Sequence, residues 1–236
     1  AVSLLWLRRR PFAQLWPLLG LLLYVLAPQL DPLLLALALL FTLLLWVIPT
    51  LRRMHDLPAP LTGALLATAG FTLYAATLAP GVMPADNGEF QLVLAQLGVA
   101  HPPGFPLYTL LGHGLVRLAT AVSPALAANL FAAITSSLTL LVVYLTGQAL
   151  LQNGWAAAAG TVALATATTF WAQATMANIR SLTALFAALM FWALVNFQQE
   201  TADDRPTADG WLLIFALAFG FGVTHHPSLA FIGLLC

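Results

Sequence analysis

Residues 125–150 read ALAANLFAAITSSLTLLVVYLTGQAL, a run without a single Asp, Glu, Lys or Arg. A helix needs about 20 mainly apolar residues to cross a hydrocarbon core of roughly 30 Å, so this run predicts a membrane-spanning helix. The whole chain has the same character, because 61% of its 236 residues are hydrophobic and only 7% are charged. A soluble domain carries roughly 25% charged residues. The composition therefore predicts an all-α, polytopic transmembrane helical bundle.

The same length criterion finds seven spans in all. They lie at 12–29, 32–49, 61–79, 125–150, 155–176, 181–198 and 211–234. We predict a helical hairpin of two spans over 1–60 and a transmembrane core over 61–236. The chain begins without Met and stops at Cys236 inside an apolar run, which suggests a segment of a longer polypeptide. A single cysteine excludes an internal disulfide and a cysteine-based zinc site.

The charged residues indicate an orientation. Eight arginines balance eight acidic residues, so the net charge of zero offers no footprint for nucleic acid. Cytoplasmic loops of membrane proteins carry an excess of basic residues. Seven alternating spans place six arginines inside and two outside: Arg8, Arg9, Arg10, Arg52, Arg53 and Arg205 against Arg117 and Arg180. Residues 80–124 then form the one long external segment.

The external segment predicts two short amphipathic helices. In 87–97 four apolar residues fall at helical spacing on one face: Phe90, Val93, Leu94 and Leu97. Gly98 is then expected to end this helix. Pro106 suits the first turn of a second helix, whose leucines 107, 110, 111 and 118 share a face. We expect both helices to lie flat on the outer membrane surface.

Two carboxylates begin the first of these helices, in the run Asp86-Asn87-Gly88-Glu89. One hypothesis is structural: Asp86 caps the helix and Glu89, three residues later, completes a capping box. The other hypothesis is chemical, since a carboxylate at the membrane surface can act as a general base or bind a donor group. The two roles are compatible, because a capped helix start holds its carboxylate rigidly.

The loop also carries motifs of a known family. Residues 84–90, PADNGEF, and 97–108, LGVAHPPGFPLY, resemble the signature of membrane enzymes related to protein O-mannosyltransferases, and 170–174 and 222–226 fit the same pattern. The resemblance covers about residues 61–235. It implies a GT-C-type glycosyltransferase that uses a lipid-phosphate-linked sugar at the outer membrane face. It also implies that Asp86 is the catalytic base, with Glu89 as its neighbour.

Six further residues are candidates for substrate binding: His101, Arg117, Asn178, Arg180, His225 and His226. His101 can hydrogen-bond a phosphate or a sugar hydroxyl. Either arginine can reach lipid headgroups or bind a leaving phosphate bidentately. The histidine pair lies in the last predicted span, where a polar side chain either has a function or forms hydrogen bonds within the bundle. The family pattern places a Glu where Asn178 stands, and no ligand spacing indicates a metal site.

The sequence thus predicts glycosyl transfer from a polyprenyl-phosphate-linked sugar to an extracytoplasmic acceptor such as a protein hydroxyl. The donor is the only cosubstrate expected, with no divalent metal. Expected partners are membrane lipids, the lipid-linked sugar, and an acceptor protein or other membrane subunits. The alternative is a non-catalytic GT-C-like subunit of a larger complex; a transporter is disfavoured, because no span carries paired midplane charges. The expected location is a bacterial cytoplasmic membrane, with the active face outside.

Overall fold

The structure, a computed structural model, describes residues 57–234, and every regular element in this range is a helix. The helices are α1 (Ala59–Ala76), α2 (Ala85–Gln96), α3 (Pro106–Leu118), α4 (Pro124–Leu151), α5 (Gly154–Thr166), α6 (Thr168–Ala174), α7 (Arg180–Ala202), α8 (Ala208–His225) and α9 (Leu229–Leu234). The spans predicted at 12–29 and 32–49 and the arginines before residue 57 lie outside this range. The all-helical prediction is confirmed for the described residues.

Four of the helices, α1, α4, α7 and α8, are long and apolar enough to cross a membrane. They correspond to the spans predicted at 61–79, 125–150 and 181–198 and to the first part of 211–234. The chain is therefore a helical integral membrane protein. The total of seven spans stays a prediction.

The span predicted over 155–176 is not one continuous helix. It is divided into α5 and α6 at Ala167, whose backbone is extended at φ −62° and ψ 127°. The break frees the carbonyl oxygen of Ala165, and the Tyr74 hydroxyl donates to it across 2.9 Å. In a membrane a helix break is tolerated where a neighbouring helix supplies such a partner. Neither piece is long enough by itself to cross the membrane, since α5 has 13 residues and α6 has 7.

The last predicted span, 211–234, is also wrong in extent. Helix α8 ends at His225, and His226 is extended at φ −145° and ψ 122°. Pro227 follows, and proline fixes φ and lacks the amide that would continue the ladder. The histidine pair therefore lies at a helix end, about 27 Å along α8, and not inside a longer span.

Helix α4 is central and packs against α1, α2, α3, α5, α6 and α7. Four of its alanines are completely buried: Ala127, Ala128, Ala132 and Ala133. Small residues let neighbouring backbones approach closely, which is how helices associate in lipid. Ser123 fixes the start of α4, because its hydroxyl accepts the Leu126 amide proton at 3.3 Å and Pro124 occupies the first turn.

Hydrogen bonds between loops show which helix ends lie together. The Ala79 amide donates to the Thr175 carbonyl at 3.0 Å, and the His225 ring lies 3.1 Å from the Ile179 carbonyl oxygen. We call this the site end of the bundle; it comprises α2, α3 and the segments 77–84, 98–105, 123–129, 174–181 and 225–226. The opposite end comprises 147–155 and 199–210, where Gln199 donates to the Ala149 carbonyl at 2.7 Å.

Candidate functional site

The start of α2 differs from the capping-box prediction. The helix begins at Ala85, and Pro84 occupies the N-cap without a side-chain hydrogen bond, so that prediction is wrong. Asp86 lies in the first turn, where the helix dipole favours a negative charge. The side chain of Asp86 is exposed and has no hydrogen bond or ion pair with any described residue. Its carboxylate is thus held at a helix start and is open to a ligand.

The backbone on both sides of Asp86 is tightly constrained. Ala85 has a φ of 55°, in the left-handed region that residues other than glycine rarely adopt. Gly88 lies directly against the Met83 carbonyl oxygen, so a Cβ atom at position 88 would collide with backbone. Strained backbone of this kind is found where surrounding structure fixes a functional group. The backbone that carries Asp86 is therefore fixed on both sides by its neighbours.

Glu89 is occupied by His101. One carboxylate oxygen accepts the His101 backbone amide proton at 2.6 Å, and the other lies 2.8 Å from the ring atom Nδ1. These hydrogen bonds, the ring contact first, lower the pKa of Glu89 below its usual value. Glu89 therefore orients His101, while the catalytic role predicted for this carboxylate stays a prediction.

The connector between α2 and α3 is a series of tight turns. Helix α2 ends with Leu97, not Gly98, in the left-handed position, at φ 55°. The Gly104 amide donates to the His101 carbonyl at 2.9 Å, with Gly104 at φ 91°. Phe105 then precedes α3 at φ 47°. This sequence of turns brings His101 back against α2, within reach of Glu89.

Aromatic contacts join the connector to the end of α8. We call the group the histidine–aromatic cluster: Phe90, His101, Phe105, Tyr108, His225 and His226. The Phe105 ring is 5.7 Å from the His101 ring and stacks on His226 at 5.9 Å. Tyr108 stacks on His225 with ring centroids 6.2 Å apart. Three predicted substrate-binding histidines therefore lie in one cluster, although they come from segments more than 100 residues apart.

Asn178 has a complete set of partners within the protein. Its amide nitrogen donates to the carbonyls of Gln173 and Met176, each at 2.6 Å. Its oxygen accepts the backbone amides of Arg180 at 2.9 Å and Ser181 at 3.2 Å, at the start of α7. Only an amide can donate and accept in this way. Asn178 caps α7 from a buried position, and its predicted contact with substrate stays a prediction.

A buried pair that the sequence analysis missed ties the site together. The Gln91 side chain donates to Asn129 at 2.9 Å, and Asn129 in turn donates to the Ala79 carbonyl at 2.8 Å. The Asn129 oxygen also accepts the Ala177 amide at 2.9 Å. One signal was available, since a buried asparagine in an otherwise apolar span is costly unless it has partners. The pair connects α2, α4 and the segment before α7.

The two predicted external arginines occupy different positions. Arg180 is the first residue of α7, and its guanidinium donates to the Gln173 side chain at 3.4 Å. Asn87, next to Asp86, donates to the Ala177 carbonyl at 2.9 Å, so the starts of α2 and α7 are neighbours. Arg117 lies exposed in the last turn of α3, and no contact in the described range joins it to the cluster.

The face of α3 that carries the leucines is turned away from the protein. Leu110, Leu111 and Leu118 are exposed, whereas Tyr108 and Thr109 are buried. The predicted helix is present, and its placement on the membrane surface stays a prediction. Within residues 57–234, no three His, Cys, Asp or Glu side chains are grouped closely enough to hold a metal ion.

The residues of this site fall within a known protein family. A family model described as the protein O-mannosyl-transferase TMEM260 N-terminal domain matches residues 86–236, more than half of the chain. The chain belongs to this family. The match begins at Asp86 and includes the whole histidine–aromatic cluster, so the resemblance inferred from the motifs is confirmed.

Two relatives of the chain are named protein O-mannosyl-transferases. The chain is 27% identical to protein O-mannosyl-transferase tmem260 of Dictyostelium discoideum over 169 residues, which are 68% of the chain and 21% of that protein. It is 37% identical to protein O-mannosyl-transferase TMEM260 of Mus musculus over 139 residues, 57% of the chain and 19% of the relative. The chain thus spans about a fifth of the length of these relatives. Both are eukaryotic, so the prediction of a bacterial cytoplasmic membrane has no support. No solved structure matches the chain.

Proposed function

We propose that the protein transfers mannose from a polyprenyl-phosphate-linked donor to a hydroxyl group of an acceptor protein. Two relatives named as protein O-mannosyl-transferases support the sugar and the acceptor class. The lipid-linked donor is supported by the membrane-spanning helices and by an arginine at the helix start next to Asp86. The site residues belong to this chain, which the proposal treats as the catalytic part of the protein.

One observation carries the assignment of roles. The site end holds two carboxylates three residues apart, and only one is free, because both Glu89 oxygens contact His101. Asp86 has no partner among the described residues and lies at a constrained helix start. A general base must reach the proton that it removes, so Asp86 is the base and Glu89 is a positioning residue.

The proposed reaction is a displacement at the anomeric carbon of the donor. The acceptor hydroxyl oxygen forms a bond to this carbon while the bond from the carbon to the phosphate oxygen breaks. The electron pair of that bond leaves with the lipid phosphate, and the hydroxyl proton passes to the Asp86 carboxylate. Positioning of the reactants and stabilisation of the separating charges account for most of the acceleration.

The leaving phosphate needs positive charge and hydrogen-bond donors. Arg180 supplies a guanidinium, which binds phosphate oxygens bidentately, at the helix start next to Asp86. The His101 ring is fixed through Nδ1 by Glu89; in the neutral ring its Nε2 atom accepts a proton from a sugar hydroxyl, and only the protonated ring donates to a phosphate oxygen. His226, whose ring stacks on Phe105, offers its Nε2 atom as well, because its Nδ1 atom contacts Ser228. The proposal gives no role to a divalent metal, and Arg117 is assigned only to the headgroup surface.

We propose seven membrane spans for the protein. Seven spans with α2 and α3 on the extracytoplasmic surface place Asp86 where a secreted or membrane-bound acceptor is available. The partners are then membrane lipids, the lipid-linked sugar and the acceptor protein. No nucleic acid is expected. In the alternative, the chain is a non-catalytic subunit with the same fold.

The test is Asp86→Asn in the complete protein, assayed with a lipid-linked mannose donor and an acceptor protein. Loss of the base should lower the transfer rate by about 10²–10⁴-fold, the usual contribution of a general base. Asp209→Asn is the matched control, because Asp209 also lies exposed in the first turn of a helix, α8, at the opposite end. It should leave the rate unchanged.

Full activity in Asp86→Asn would show that another group removes the proton. If the wild-type protein neither transfers mannose nor binds the lipid-linked donor, the subunit alternative replaces the enzyme.

A further inference from the structure

Two buried polar atoms in the histidine–aromatic cluster have no hydrogen-bond partner. They are the Tyr108 hydroxyl and the His225 atom Nδ1, on side chains that are 0% and 1% exposed. An unpaired buried polar group loses its hydrogen bonds to water without replacement, so each such case in a folded protein calls for an explanation. The two atoms belong to rings that stack on each other, so they share one location in the fold.

The hydrogen bonds of His225 determine what its free nitrogen can do. The other ring nitrogen, Nε2, lies 3.1 Å from the Ile179 carbonyl oxygen, which can only accept. Nε2 therefore carries the proton. Thr183 donates its own hydroxyl proton to the same carbonyl at 2.9 Å, and its oxygen lies 3.1 Å from Nε2. In the neutral ring Nδ1 is consequently a bare acceptor.

Tyr108 supplies the complementary group. Burial raises the pKa of its hydroxyl, so this group stays protonated and is a donor at neutral pH. The backbone amide of Asn178 approaches the hydroxyl oxygen and acts against this rise in pKa, and because an amide only donates, the hydroxyl proton still has no acceptor. The rings of Phe90 and Phe131, each 5.4 Å away, hold the phenol in place. The cluster therefore presents one donor and one acceptor, both unused.

We propose that Tyr108 and His225 bind hydroxyl groups of the donor sugar and thereby contribute to sugar specificity. A sugar hydroxyl both donates and accepts, so it supplies what Nδ1 and the phenol lack. The position of the Tyr108 hydroxyl is consistent with sugar binding, because it lies beside the backbone of Asn178. Asn178 is two residues before Arg180, which is proposed to bind the phosphate attached to the sugar. The inference rests on the proposed function. An ordered water has the same hydrogen-bonding chemistry and is the other possible occupant.

The test compares Tyr108→Phe with wild type in the complete protein, with the lipid-linked mannose donor and with deoxy analogues that each lack one sugar hydroxyl. The transfer rate with mannose should fall about 5- to 10-fold, as expected for loss of one hydrogen bond. For one deoxy analogue the variant and the wild type should be equally slow, because the bonding partner is already absent. Thermal stability should stay the same or rise, since the lost hydroxyl had no partner.

Two controls separate function from folding. Thr109→Val removes another buried hydroxyl without a partner, next in the chain but outside the cluster, and should not change transfer. Tyr74→Phe removes the hydroxyl that satisfies Ala165, so it should lower the melting temperature. A Tyr108→Phe protein that loses stability and keeps full transfer with every donor would assign the site to water and overturn the inference. A wild-type protein without any transfer would overturn the proposed function itself.

Discussion

The two ends of the bundle use polar side chains in different ways. At the site end, hydrogen bonds connect elements that are distant in the sequence, such as Gln91 with Asn129 and Asn87 with Ala177. At the opposite end most of them are local: Asn153 caps its own helix, and Asp203 pairs with Arg205. Long-range polar bonds fix several segments at once, and this is what a site needs to hold groups in position. The contrast indicates that polar side chains mainly hold separate segments together at the site end and mainly cap or pair locally at the opposite end, apart from the bond of Gln199 to Ala149.

The largest expected effect concerns two asparagines that both cap helices. Asn178 uses its oxygen and its nitrogen, whereas Asn153 uses its oxygen, which accepts the amides of Trp155 and Ala156. In Asn178→Asp the carboxyl group faces two carbonyl oxygens and has at most one proton to donate. We expect a loss of about 3–5 kcal/mol in unfolding free energy, as for other uncompensated buried charges.

Asn153→Asp is the matched change at the opposite end. A carboxylate accepts both amide protons and is favoured at a helix start, so stability should change by less than about 1 kcal/mol. The stabilities of Asn178→Asp and Asn153→Asp are compared by thermal unfolding in the same detergent. Equal losses at the two positions would contradict the proposed difference between the ends.

The second prediction compares two arginines. Arg180→Ala should weaken binding of the lipid-linked donor by about 1.5–3 kcal/mol, the range for a hydrogen bond to a charged group. Arg205→Ala removes an exposed ion pair with Asp203, whose N–O distance is 3.0 Å, and should change stability by no more than about 1 kcal/mol. Donor binding by Arg205→Ala should equal that of wild type. A competition assay with unlabelled donor measures the donor affinity of both variants. The same weakening in Arg180→Ala and Arg205→Ala would mean that the net charge of the protein, and not the position of Arg180, controls binding.

The sequence was most informative where the hydrophobic pattern is long. The positions of α1, α4 and α7 follow from runs of about 20 apolar residues, which only a membrane or a large core accommodates. The motifs in 84–108 led to the family, and apolar periodicity together with Gly98 and Pro106 predicted the helices α2 and α3. Periodicity could not show the break at Ala167, because no proline or glycine marks it and the Tyr74 hydroxyl that compensates for it is 91 residues away.

The site was less predictable than the fold. The capping box was a reasonable local interpretation, but the chain enters α2 from Pro84 and the carboxylate of Glu89 binds His101 instead. Such a contact depends on the turns at 101–105, which no local pattern specifies. Tyr108 is part of the family motif, but the motif does not show what its hydroxyl does. The indication of a role comes from the structure, in which this hydroxyl is buried without a hydrogen-bond partner.

The third and smallest effect tests whether Glu89 positions His101. In Glu89→Gln the side-chain oxygen can still accept the His101 backbone amide proton, but the NH₂ group that then faces Nδ1 can only donate, which forces the ring into the tautomer with its proton on Nε2. The transfer rate at pH 7 should fall about tenfold, less than the roughly hundredfold that a misplacement of 1 Å can cost. Glu200→Gln is the control, because Glu200 accepts from the nearby Thr207 hydroxyl at the opposite end and has no contact with His101 among the described residues. Its rate should match wild type.

The pH dependence of this contact has a definite sign. The pKa of Glu89 is lowered in the folded protein, so its contribution is complete above the ordinary glutamate value of about 4.3. The contribution is lost as the pH falls through the lowered pKa, when the carboxylate becomes protonated. Hydrogen exchange at the His101 amide should therefore show protection that is constant from about pH 5 to 7 and decreases only in stronger acid. In Glu89→Gln this decrease should be absent. A wild-type amide that is unprotected at pH 6 would show that Glu89 does not hold His101, and a rate loss as large as that of Asp86→Asn would make Glu89 a catalytic residue.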